Sequence, residues 1–214
     1  MIPGPVEPID ADGSWLIGVA DGLGGLPRGR AAARRAIRAL PRRIAGPKEM
    51  WSAFGEANGS VAALAPPHFY EMVSPITRAP ASTLCVAAWT PEGGMVVGVT
   101  GDTLPVLLWS EGGSWHGRSL CAPHRSDGDV AYLTLYLGQS AGWRDEPLSI
   151  IGDEKQLLAG ADLEPPATAD TTAIVILSDG AWEAIMRPAF EQHAHGSATN
   201  RRSPATILSA IAYW

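Results

Sequence analysis

The chain has 214 residues, 46% of them hydrophobic and 18% charged, with a formal net charge of −6. That apolar share is enough to bury a core and excludes a disordered chain, and the negative balance argues against general nucleic-acid binding, which needs a positive surface. No uncharged run reaches the roughly 18 residues of a membrane span, no basic-then-apolar leader follows Met1, and Cys85 and Cys121 lack paired spacing, so the expectation is a single cytoplasmic domain over residues 1–214, without structural zinc.

In chain order, Leu16 to Ala20 reads as a strand that ends in Asp21-Gly22-Leu23-Gly24-Gly25. Seven of the fourteen arginines follow, at Arg28, Arg30, Arg34, Arg35, Arg38, Arg42 and Arg43. Ala33, Ile37, Leu40 and Ile44 recur there at helical spacing, so one apolar stripe is expected, with the arginines on a solvated outer face or against an acidic or phosphorylated partner. A second helix is expected over Trp51 to Ala65, stopped by Pro66-Pro67. Thr83 to Trp89 and Met95 to Thr100 read as an antiparallel pair across Pro91-Glu92-Gly93-Gly94. Thr103 to Trp109 reads as a third strand, with Pro105 suiting an edge or a bulge. Ser114 to Leu120 is a short fourth, residues 122 to 147 look irregular, and Leu148 to Ile151 and Thr172 to Leu177 are further strands. Ala181 to Gln192 and Pro204 to Trp214 read as helices. The order predicts an α+β fold with mostly antiparallel sheet.

Three aspartates share one context. Asp21, Asp102 and Asp179 each follow an apolar strand, and Gly22 and Gly180 follow two of them. Any single Asp-Gly is commonly a turn. Three in matching context point to converging carboxylates, which repel unless a cation neutralises them. Oxygen ligands of this kind suit Mg²⁺ or Mn²⁺, and a glycine lets a backbone carbonyl approach the ion.

Five segments, in order, resemble the metal-dependent protein phosphatases of the protein phosphatase 2C (PPM) type. They are Val19-Ala20-Asp21-Gly22-Leu23-Gly24-Gly25, Ala81-Ser82-Thr83-Leu84, Gly101-Asp102-Thr103, Leu133 to Gly138, and Leu177-Ser178-Asp179-Gly180-Ala181-Trp182-Glu183. The resemblance implies an α-β-β-α sandwich of two mostly antiparallel sheets. It also implies a centre of two or three Mg²⁺ or Mn²⁺ ions at one end of the sheets. There Asp21 would bridge two metals, Gly22 would offer its carbonyl, Asp179 would bind from the other side, and Asp102 would support a third ion. A phosphorylated protein is the implied substrate, its phosphoserine or phosphothreonine cleaved by direct attack of a metal-bound hydroxide. A monomer is expected.

The match has departures. No arginine precedes Asp21, Leu104 stands where the family has the Arg of Gly-Asp-Ser-Arg, Leu23 stands where some members carry histidine, and no Asp-Asn follows Asp179 near the end. The expectation is therefore a domain truncated at both ends, with weak metal affinity and little turnover; the alternative is an inactive phosphatase-like binding module. Gly138-Gln139-Ser140-Ala141-Gly142 also fits a serine-hydrolase elbow using Ser140, but Trp143 to Pro147 is a poor helix to follow it. His193-Ala194-His195 near Glu191 reads as a polar helix end rather than a zinc site, and Trp182 is expected to pack behind Asp179.

Overall fold

The computed structural model describes residues 12–24, 28–65, 79–121, 136–138, 157–159 and 163–182. The Val- and Ile-rich runs become strands and the alanine-rich stretches become helices, in the order β1 (Trp15–Val19), α1 (Gly29–Arg38), α2 (Pro47–Ala62), β2 (Leu84–Thr90), β3 (Gly94–Thr100), β4 (Leu104–Glu111), β5 (Ser114–Ser119), β6 (Leu157–Ala159) and β7 (Thr171–Leu177). One sheet runs β1-β2-β3-β6 and the other β5-β4-β7, and every pairing is antiparallel. The predicted run of four strands thus divides between two sheets at residues 101–103.

Alternation along β2 and β3 explains the layers. Leu84, Val86, Ala88 and Val96 face one way, into a core shared with Ala32 and Ala36 of α1 and Met50, Ala53, Phe54, Ala57 and Val61 of α2. Cys85, Ala87, Val97 and Val99 face the other way, against Ile174 and Ile176 of β7. Both faces of the first sheet are therefore apolar and buried, which is why its strands read as continuous hydrophobic runs rather than alternating ones. The expected α+β architecture of two antiparallel sheets flanked by helices is the one observed.

Several local expectations need correction. α2 begins at Pro47, four residues before the predicted start, because proline at the first helical position costs no hydrogen bond and Gly46 precedes it as N-cap. In α1 the buried positions are Ala32 and Ala36, while Ile37 is 39% exposed. The helix ends at Arg38, so Leu40 and Ile44 do not extend its stripe. Small side chains let α1 lie close against α2, which turns the alanines inward. Pro105 lies in β4, the central strand of its sheet, not at an edge. The β4–β5 ladder begins at Val106, and Pro105 is used only through its carbonyl, which accepts from Leu120 N–H. The missing proline N–H thus falls where the ladder has ended. β6 was not anticipated. The strand expected at 148–151, the helix expected at 181–192 beyond its first two residues, the helix at 204–214, Ser140 and the histidine cluster lie outside the described residues.

Candidate metal centre

Antiparallel connection sorts strand ends. The registers Val19↔Cys85, Leu84↔Thr100 and Leu104↔Leu177 bring the carboxyl ends of β1, β3 and β7 to the same end of the molecule as the starts of β2 and β4. Asp21, Asp102 and Asp179 each lie two residues beyond the end of their strand. Two come from the first sheet and one from the second, so the site spans the mouth between the sheets.

Buried hydroxyls hold the Asp21 turn. Asp21 N–H donates to Thr83 Oγ1 at 3.0 Å, and Thr83 N–H donates back to the Asp21 carbonyl at 2.8 Å. The same carbonyl accepts from Ser82 Oγ at 2.8 Å. Thr83 Oγ1 also bonds Thr103 Oγ1 at 2.8 Å, which ties the Asp21 turn to the residue after Asp102. Ser82 sits between two bridges, to Gly22 and to Leu137, so the Leu-Gly segment predicted from the family resemblance arrives at this same point. Gly138 N–H then donates to Asn58 Oδ1 of α2 at 2.7 Å.

Two glycines are required by geometry. A Cβ on Gly22 would lie 2.1 Å from the Gly29 carbonyl oxygen, so the N-terminus of α1 can close on the Asp21 turn only because residue 22 has no side chain. Gly101 has φ +95°, and a Cβ there would strike the Thr83 side chain. That conformation swings the chain from β3 toward β4 and sets Asp102 into the interior, where it is buried. Gly180 has open space around it. The two Asp-Gly pairs are therefore alike in sequence only.

The carboxylates act on one another. Burial pushes the Asp21 carboxyl above its ordinary range, and the Asp179 charge, a side-chain hydrogen bond with Asp179 and the Asp102 charge push it the same way; Gly22 N–H opposes them. None of these groups is a cation. Trp182 does not simply pack behind Asp179: its Nε1–H donates to the Asp102 carbonyl at 2.9 Å, joining the β7 turn to the β3–β4 turn. Asp179 Oδ1 accepts Gly180 N–H at 2.6 Å.

This donor set has the chemistry of a hard divalent cation site. Asp21 is partly desolvated and lies within hydrogen-bonding reach of Asp179, and Asp102 adds its field. The bonds that frame the Gly22–Ser82 bridge run through Asp21 and Leu23, which leaves the Gly22 carbonyl outside that ladder. Among the described residues no three His, Cys, Asp or Glu side chains form one ligand set. The fit is thus to an ion held by a carboxylate pair and completed by other oxygens.

No protein-family model and no curated protein matches the sequence. Solved structures do. A stage II sporulation E family protein of Thermanaerovibrio acidaminovorans aligns over 92% of this chain and 87% of its own, with 19% identity and a TM-score of 0.55. A PPM Ser-Thr phosphatase of Mycobacterium smegmatis, solved in complex with cacodylate, aligns over 92% of this chain and 80% of its own, with 21% identity and a TM-score of 0.52. The chain has the PPM phosphatase fold.

Within this PPM-type fold, the sequence picked out Asp21, Gly22, Asp102 and Asp179, and the structure gathers them at one end. It missed the positioning residues. Ser82, Thr83 and Thr103 drew notice only as parts of resembling segments or as strand starts, and Asn58 drew none. Hydroxyl residues at strand starts are too common to be read singly. Their signal lies in partners 62 and 80 residues away. Leu104, in place of the expected arginine, packs with Leu177 in an apolar cluster on the second sheet.

Proposed function

We propose that this protein is a metal-dependent protein serine/threonine phosphatase, acting on phosphoserine or phosphothreonine of a protein substrate. The observation that carries the reading is the juxtaposition of Asp21 and Asp179, delivered from different sheets of a PPM-type fold. Asp21 and Asp179 would hold Mg²⁺ or Mn²⁺, Gly22 would add its carbonyl, and Asp102 would serve a further ion. A bound divalent ion supplies Lewis-acid stabilisation of phosphoryl charge and an acidified water. The residues of the chain do the rest. Thr83 and Ser82 fix the Asp21 backbone, Trp182 holds the Asp102 turn, and partial burial of Asp21 beside two like charges raises its demand for a cation. In the overall reaction a water oxygen bonds to phosphorus as the P–O bond to the serine or threonine breaks, leaving inorganic phosphate and a free hydroxyl.

The test is phosphate release from a phosphothreonine peptide with Mn²⁺, for the parent and for Asp21→Asn and Asp179→Asn. The expected result is slow, Mn²⁺-dependent release that chelator abolishes and either substitution lowers at least a hundredfold. Release that survives both substitutions contradicts the assignment. A chain that neither binds Mn²⁺ by calorimetry nor releases phosphate is the non-catalytic binding module instead.

A further inference from the structure

Asp102 is held from both sides. Its turn lies between β3 and β4, and the β4–β7 ladder begins only at Leu104↔Leu177. The Asp102 carbonyl therefore falls just outside that ladder, on a buried residue whose polar groups need partners. Trp182 Nε1–H supplies a donor at 2.9 Å. On the next residue, the Thr103 hydroxyl bonds Thr83 Oγ1, which also accepts Asp21 N–H. One latch thus reaches Asp102 from the β7 turn and the other from the Asp21 turn.

The latch from β7 is built into the same piece of backbone as Asp179. Ala181 N–H and Trp182 N–H both donate to the Ser178 carbonyl at 3.0 Å, and Gly180 N–H donates to Asp179 Oδ1. Residues 178–182 therefore form one hydrogen-bonded helical turn. Asp179 and Trp182, three positions apart, share a flank of it. The indole body packs against the cluster of Val106, Leu108 and Leu177, so the ring is not free to swing away. Phenylalanine would fill much of that contact; the indole adds a donor to it.

We infer that Trp182 is a positioning residue that links two ion sites: the turn that offers Asp179 to the ion shared with Asp21 also sets, through the indole N–H, the backbone of Asp102 for a further ion. The inference rests on the reading of Asp21, Asp179 and Asp102 as ion ligands and adds a path between them. Asp179, once engaged, restrains its turn. The restrained turn holds the Asp102 carbonyl, and Asp102 then has less freedom left to lose when it takes its own ion. The linkage is reciprocal, so engagement of Asp102 strengthens the hold of the Asp21–Asp179 pair by the same factor. Charge alone acts the other way, because two cations repel. Loss of the indole N–H therefore weakens the second ion and not the first.

The test is titration of the full chain with Mn²⁺ by isothermal calorimetry, which needs no turnover. The parent is expected to bind at least two ions. Trp182→Phe is expected to weaken the weaker site at least about fivefold. Benzothienylalanine at position 182, which keeps the ring shape without an N–H, is expected to do the same. In an Asp102→Asn background, which leaves the Asp21–Asp179 site, Trp182→Phe is expected to change the remaining affinity less than about twofold. Val175→Ala, in the same apolar cluster, is expected to lower the urea midpoint and leave both ion affinities within about twofold. Two ions bound equally well by the parent and Trp182→Phe overturn the linkage and leave the ion centre standing, as does a parent that binds one ion only. An undiminished effect of Trp182→Phe in the Asp102→Asn background also overturns it, and so does an equal loss of affinity in Val175→Ala, because either makes the role of the ring structural alone. A parent that binds no Mn²⁺ overturns the ion centre and the linkage together.

Discussion

At the residue scale the site trades stability for charge. Asp21 has a folded pKa above its usual 3.8, so the native protein holds that proton more readily than the unfolded chain does. Ionisation of Asp21 therefore disfavours the fold. The penalty is fully present above the folded pKa and disappears as pH falls toward 3.8. With chelator present, Asp21→Asn is expected to melt higher than the parent at pH 7, by about 2–4 °C for each kcal/mol in a chain of this size. Thermal melts between pH 4 and 8 check this, because the gap must close toward the acid end. A gap independent of pH would count against a desolvated Asp21. Thr83 is the residue on which the turn rests. Thr83→Val keeps the shape but leaves the Asp21 N–H and the Thr103 hydroxyl without their partner, a loss of about 1–3 kcal/mol. Thr83→Ser is expected to recover most of it, as read by urea denaturation.

At the scale of elements, the strands carried their own evidence and the helix contacts did not. Thr172 to Leu177 and Met95 to Thr100 were readable as strands from their apolar runs and bounding turns, and the structure extends each by one residue. The Ala33–Ile37 stripe misled because larger side chains ordinarily mark the buried face. Here closeness to α2 favours Ala32 and Ala36. The approach of α1 to Gly22 has the same origin, since both depend on an absence of side-chain volume. Gly22→Ala places its Cβ against the Gly29 backbone, which cannot rotate away, and is expected to cost about 1–3 kcal/mol or more. Gly180→Ala meets nothing and is expected to stay within about 0.5 kcal/mol of the parent. Chemical denaturation of the two variants separates a packing glycine from a free one. Equal effects would mean that α1 does not close on the Asp21 turn.

At the scale of the molecule, the two sheets share a layer of apolar side chains that also holds both thiols. Cys85 on β2 and Cys121 beyond β5 are free and belong to the same cluster between the sheets. Burial pushes the Cys121 thiol up to about 11 and the Cys85 thiol well above its ordinary value. The thiolate is the reactive form, so neither is available near neutral pH while the sheets are together. A thiol-reactive disulfide reagent at pH 8 is expected to label the native protein slowly and both cysteines promptly in denaturant. The labelling rate should track the urea transition. Rapid labelling of Cys85 in the native protein would mean that the sheets separate without unfolding. No helix among the described residues is long and apolar enough to cross a membrane.

The order of residues alone determined that apolar strands end in Asp21, Asp102 and Asp179, that turns follow them, and that the arginines cluster after the first. Those are local properties, expressed within a few positions by periodicity and turn chemistry. Only the tertiary structure decided which turns meet. It paired Leu104 with Leu177, which carries Asp102 and Asp179 to the mouth beside Asp21. It gave Thr83 and Trp182 partners 62 and 80 residues distant. It also distinguished the glycine that must be small from the one that need not be. Such choices rest on how two sheets and a helix pair fill one volume, and close packing is a property of the assembled chain rather than of any segment.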